Sequence, residues 1–119
     1  MRLTSDFWVS ALIRNVETSG GFAYLVRRGA KEAGAIFIQH ASRFGTSDLY
    51  SPAPQTSYEL NNDRERIFAC ILHNAEDDLV RQRMQREINF DPDLWLIELE
   101  DIADLKSLIS IAEDDEGLK

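Results

Sequence analysis

The stretch "RRGAKEAGAIFI" at residues 27–38 sets two glycines, Gly29 and Gly34, around four intervening residues, behind two arginines and ahead of an apolar run. That spacing invites a phosphate-binding reading. A phosphate loop needs backbone N–H groups converging on the anion, a helix N-terminus behind them, and a lysine followed by a hydroxyl. Here Ala35 and Ile36 stand where the lysine and the hydroxyl belong, and the apolar run that they open has the pattern of a strand. The simpler expectation is a hairpin: a polar loop joining two apolar strands, with the glycines supplying positive φ. There remains a basic turn, Arg27, Arg28 and Lys31, with Arg14 as a further candidate, able to hold a small anionic group.

Four carboxylates cluster near residue 95. In "FDPDLWLIELED", Asp91, Asp93, Glu98 and Glu100 resemble the acidic pattern of magnesium-dependent nucleases of the PD-(D/E)xK type. Two departures weaken the match: Asp93 is too close to Glu98, and position 100 is Glu where the lysine belongs. A divalent-ion site at the four carboxylates stays open, against a plain strand end whose charges discourage edge pairing.

Cys70 and His73, in "CILH", supply at most two zinc ligands, and His40 stands apart from them in sequence. Residues three apart on a regular strand point to opposite sides, which counts further against zinc; a Cys–His nucleophile pair lacks a third orienting group, and a buried inert thiol is expected within "IFACIL". Arg81, Arg83 and Arg86 are partly compensated by Asp77 and Glu87 at helical spacing, which reads as a solvated face. Trp8 and Trp95 fall at apolar positions and read as core.

The elements carrying these residues emerge from periodicity. Trp8, Ala11, Leu12 and Val16 predict a helix over 5–18, capped by Thr4 or Ser5 and stopped by Gly20 and Gly21. "FAYLVRR" predicts a strand, read as central because it is nearly all apolar, and "AIFIQHA" and "SDLYS" predict two more. Residues 52–65, with two prolines, form the longest loop candidate. "RIFACILH" predicts a fourth strand, and Asn74 with Asp77 forms a cap-like pair opening a helix lined by Val80, Met84 and Ile88. Residues 94–100 give a fifth strand, and the strand, helix, strand series favours a parallel crossover. Beyond it, Ile102, Leu105, Leu108, Ile109 and Ala112 predict a short amphipathic helix before an acidic end.

The expected fold is therefore α+β: a mixed, mostly antiparallel sheet of about five strands in the order α-β-β-β-β-α-β-α. Its expected organisation is one domain over 1–101, followed by a helix and tail over 102–119. With 119 residues and 44% hydrophobic content, the chain can fill one core and not two. Residues 1–73 hold eight Lys or Arg against seven Asp or Glu, and residues 74–119 hold five against fourteen, so the net charge of −8 belongs to the C-terminal part. That acidity would repel a phosphate backbone and argues against nucleic acid. No apolar run is long enough to span a membrane, no signal peptide is evident, and a single cysteine makes no internal disulfide, so a cytoplasmic location is expected.

The order "SDFWVSALIR", "GGFAYLVRRGAKEAGAIFI", "DLYSPAPQ" and "FDPDLWLIELED" resembles a family of small, mostly alphaproteobacterial proteins, domain of unknown function 1491. The resemblance spans residues 1–101. It implies a bacterial, soluble, single-domain protein and assigns no catalytic residue; the segment after Asp101 extends beyond the family pattern.

No complete catalytic constellation emerges, and no cofactor is implied. The expected role is a small interaction or accessory protein without catalytic activity, binding a protein partner or a second copy through the apolar stripe Ile102, Leu105, Leu108 and Ile109. Two alternatives stand beside it: a binding domain or weak enzyme for a small anionic ligand at the arginine turn, and a divalent metal site at the carboxylates.

Overall fold

Val9, Leu12 and Val16 recur at helical spacing and are buried along one stripe of α1 (Ser5–Thr18), the helix expected from the sequence. The computed structural model describes residues 3–54 and 66–112. After α1 come β1 (Phe22–Arg27), β2 (Ile36–Ala41), β3 (Thr46–Pro52), β4 (Ile67–Glu76), α2 (Asp77–Phe90), β5 (Trp95–Glu100), a 3-10 turn at Leu105–Ser107 and β6 (Ser110–Ile111). Most of the long loop expected over 52–65 and the acidic end lie outside the described residues.

The class is α+β with a mixed sheet, of six strands in the order β1-β5-β2-β3-β4-β6. β5 runs antiparallel to β1 and parallel to β2; β3 is antiparallel to both β2 and β4, and β6 is parallel to β4. β4 and β5 thus run the same way with β2 and β3 between them, a wider parallel crossover than immediate neighbours would make. Side chains alternate across the sheet and feed two cores. Ile36, Ile38, Trp95, Ile97 and Leu99 pack with α1 on one face. Phe37, Leu49, Leu94 and Leu96 pack with Val80 and Met84 of α2 on the other.

Three expectations are corrected by this topology. First, β1 and β2 do not form a hairpin, because β5 lies between them. The loop joining them crosses the start of β5, and a Cβ on Gly29 or Gly34 would overlap the carbonyl oxygen of Asp93. These glycines are required for close approach, whereas the positive-φ glycines are Gly20 and Gly45. Second, β1 is an edge strand and not a central one; local apolarity does not say which strand a later segment will cover.

Third, residues 102–112 form no α-helix. They cross the α1 side of the sheet as an extended segment with one 3-10 turn and add β6 beside β4. Leu105 and Ile109 are 8% and 5% exposed within the α1-side core, and Ile102 and Leu108 pack against it. A stripe of apolar residues at mixed three- and four-residue spacing satisfies a helix pattern, but here a core is filled by it directly. The segment is part of the domain and its expected docking stripe faces inward. The cap expectation for α2 also shifts: Glu76 is its N-cap, while Asn74 lies within β4 at φ 52.

Candidate interaction site

The basic turn is organised around the ends of two other elements. Its carbonyls at Glu32 and Lys31 accept hydrogen bonds from the backbone N–H groups of Ser5 and Asp6, both 3.0 Å, at the start of α1. These donors are the ones an anion would use at a helix N-terminus, so the loop occupies the place a phosphate would take. Ala30 N–H donates to the Asp93 carbonyl at 2.8 Å, and the Trp95 indole Nε1–H donates to the Ala30 carbonyl at 2.8 Å. Arg27 donates from Nη2 to the Pro92 carbonyl at 2.7 Å, and the Arg28 guanidinium lies 5.3 Å from the Trp95 ring centroid, a cation–π arrangement. Lys31 is exposed, and Arg14 lies nine residues along α1 from Ser5, about 14 Å at the helical rise. Arg27 and Arg28 are thus engaged at the start of β5, and Arg14 stands apart from the turn along α1.

The carboxylates divide in the same way. Asp91 accepts the Asp93 backbone N–H at 3.1 Å in the turn before β5, while Glu98 and Glu100 stand at its other end. At strand rise, Asp93 and Glu98 are about 16 Å apart. Among the described residues, no group of three or more His, Cys, Asp or Glu is placed to hold a metal ion.

Cys70 is exposed, contrary to the buried thiol expected, and its Sγ–H donates to the Leu72 carbonyl at 3.2 Å. The register between β3 and β4 slips here, so that Ile71 and Leu72 both join the α2-side core and the alternation resets. His73 Nδ1 lies 3.1 Å from Asp48 Oδ1, which also accepts the Asn74 backbone N–H at 2.7 Å. Cys70 faces Tyr50 across the ladder. Burial, with smaller contributions from Cys70 and Asp48, pushes the Tyr50 phenol up to about 12. Asp48 and Tyr50 were not legible as members of this group, because a bulge inside an apolar strand leaves no mark in the sequence. An open cleft of about 530 Å³ lies at the carboxyl ends of β2 and β5, lined among others by His40, Arg43 and Asp101. Its Arg43–Asp101 pair, at 3.7 Å, is largely exposed.

Four apolar residues of one strand are exposed together at β1. Phe22, Tyr24, Leu25 and Val26 are 51%, 47%, 37% and 53% exposed, on a strand whose outer edge pairs with no other strand among the described residues. β1 carries neither of the common protections of an edge, a proline or a lysine, although a register shift at Val26 ends its regular ladder. Phe22 stands directly opposite Glu100, and Tyr24 opposite Glu98, so two rings and two carboxylates form a grid on the α2 side of the sheet. α2 packs over β3 and β4 and leaves the rings of Phe22 and Tyr24 exposed, with Glu98 and Glu100 half-buried behind them. Burial, then Glu100, then Asp77 raise the Glu98 carboxyl above the ordinary range. Among the described residues, no Lys or Arg forms an ion pair with Glu98, Glu100 or Asp77.

A family model described as protein of unknown function (DUF1491) matches residues 3–109. The chain belongs to this family. The DUF1491 match runs past Asp101 through the inward-packed Leu105 and Ile109, so these residues lie within the family region and do not extend beyond it. The solution structure of protein Atu0922 from A. tumefaciens is 38% identical and superposes with a TM-score of 0.82, covering 96% of this chain and 98% of that one. A crystal structure of a DUF1491 family protein from Caulobacter crescentus CB15 is 30% identical, with a TM-score of 0.74 over 95% of this chain and 100% of that one. An NMR structure of a DUF1491 family protein from the same organism gives 31% identity and a TM-score of 0.75, over 95% and 99%. These neighbours come from alphaproteobacteria. No curated protein matches the sequence significantly, and no described helix is long and apolar enough to cross a membrane.

Proposed function

We propose that this protein is a cytoplasmic interaction or accessory module that binds a protein partner by strand addition to β1. The observation that carries this reading is the outer edge of β1, which pairs with no other strand among the described residues and carries four large, partly exposed apolar side chains. An edge strand offers unpaired backbone donors and acceptors to an extended segment, and alternate side chains of that segment meet the exposed rings. The stripe Ile102, Leu105, Leu108 and Ile109, whose spacing suggested a docking helix, is spent on the protein's own core, and this reading seats the partner instead on β1, at the other edge of the sheet from β6.

The test compares the wild type with a Phe22→Thr/Tyr24→Thr variant in affinity capture from the native lysate, with quantitative mass spectrometry. Threonine keeps β propensity while removing the rings. A stoichiometric protein captured by the wild type and lost with the variant supports the reading. Equal capture by both places the binding surface elsewhere, and self-association lost in the variant assigns the edge to a second copy.

A further inference from the structure

The β1 edge is apolar in itself, but its surroundings are acidic. Glu98 and Glu100 lie one strand behind Tyr24 and Phe22 on the α2 side, and Asp77 at the start of α2 acts electrostatically on Glu98. These carboxylates have no basic partner among the described residues, whereas Asp78 and Glu87 on α2 each pair with an arginine of their own helix. An added strand would lie one spacing beyond β1 and two beyond β5, roughly 10 Å from it. A lysine or arginine on that strand, pointing to the α2 side, can lie across the ring of Tyr24 or Phe22 and approach the carboxylate behind it. Both contacts favour a cation: the ring face by its quadrupole and the carboxylate by its charge.

Resting on the strand-addition reading, we infer that the occupant of β1 is an extended segment of another protein in which lysine or arginine alternates with apolar residues, the basic side chains seated over Phe22 and Tyr24 toward Glu100 and Glu98. A second copy fits less well. Each copy carries a net charge of −8, and two-fold pairing of β1 strands would bring two uncompensated carboxylate grids to the same side of one continuous sheet.

The experiment selects binders of the full-length protein from a displayed library of random 12-residue peptides and synthesises the enriched ones. Their sites are mapped by backbone amide chemical shifts, and affinities are measured for the wild type and for Glu98→Gln/Glu100→Gln at two salt concentrations. The expected result is enrichment of alternating basic and apolar residues, shifts concentrated at Phe22–Leu25, and about tenfold weaker binding to the neutralised variant, with a smaller salt dependence. Peptides that map to β1 without basic enrichment, or that bind both proteins equally, overturn the charge assignment and leave strand addition standing. Peptides that map away from β1, or a library that yields no binder, overturn both. A dimer in sedimentation that dissociates in the Phe22→Thr/Tyr24→Thr variant makes a second copy the occupant and overturns the inference.

Discussion

The two faces of the sheet are covered unequally. On one face, α1 packs over Ile36, Ile38, Trp95, Ile97 and Leu99, and the segment after β5 brings Leu105 and Ile109 onto the same core. On the other, the α2-side core takes in β3, β4, Phe37 of β2 and Leu94 and Leu96 at the start of β5 but not Phe22 and Tyr24 of β1, which stand exposed beside Glu98 and Glu100. Both faces bury a core, but on the second the rings of Phe22 and Tyr24 stay exposed at an edge that pairs with no other strand among the described residues. Such a contrast within one small domain teaches that the part of a sheet that keeps exposed apolar side chains is set by how far the second helix reaches.

The largest effect should come from the closed face. Trp95 is almost fully buried and its indole holds the loop that also caps α1. Trp95→Ala should cost about 3–5 kcal/mol in urea denaturation. A loss below about 1 kcal/mol would mean that the indole does not key the loop to β5. Next comes the segment that closes this face. Leu105→Ala and Ile109→Ala should each destabilise by about 2–5 kcal/mol, toward the lower end if the site collapses. Unchanged melting temperatures would return these residues to an outward docking role.

The open face should respond much less in stability. Tyr24→Thr should change folding free energy by less than about 1 kcal/mol while weakening partner capture, since a half-exposed edge residue contributes little to the core. A loss comparable to Trp95→Ala would show that β1 is integral to the core and erase the contrast between the faces.

The smallest effect is a pH dependence with a definite sign. A carboxyl whose pKa rises on folding holds its proton more tightly in the folded protein. Its contribution to stability is complete below the ordinary carboxylate range and is lost as pH rises through the raised value. For Glu98 the causes are its burial, then the charges of Glu100 and Asp77. Glu98→Gln should therefore raise the melting temperature slightly at neutral pH and converge with the wild type below about pH 4. A lower melting temperature at neutral pH would indicate that the carboxylate is stabilised by a cation on this face.

Much of the local structure was legible in the sequence. The limits of α1 could be read from the apolar spacing of Leu12 and Val16 between Thr4 and the glycines, and four apolar runs and the α2 stripe of Val80 and Met84 marked their elements. Rules of this kind work because they concern contacts within a few residues, where 3.6- and 2-residue periods leave a direct imprint. The candidate site was much less legible. Phe22 and Tyr24 look like core residues in "FAYLVR", and Gly29 and Gly34 look like turn glycines.

The sequence by itself determined the class of fold, the positions of its helices and main strands, and the acidic character of its C-terminal part. Only the tertiary structure decided that β5 enters between β1 and β2 and that the last apolar stripe fills the core. It alone exposed β1 as an edge beside two carboxylates. The place of β5 is fixed by pairings between residues such as Ile36 and Trp95 or Phe22 and Glu100, far apart in the chain. At such separations an apolar run carries no label saying whether its outer side will meet another strand or water.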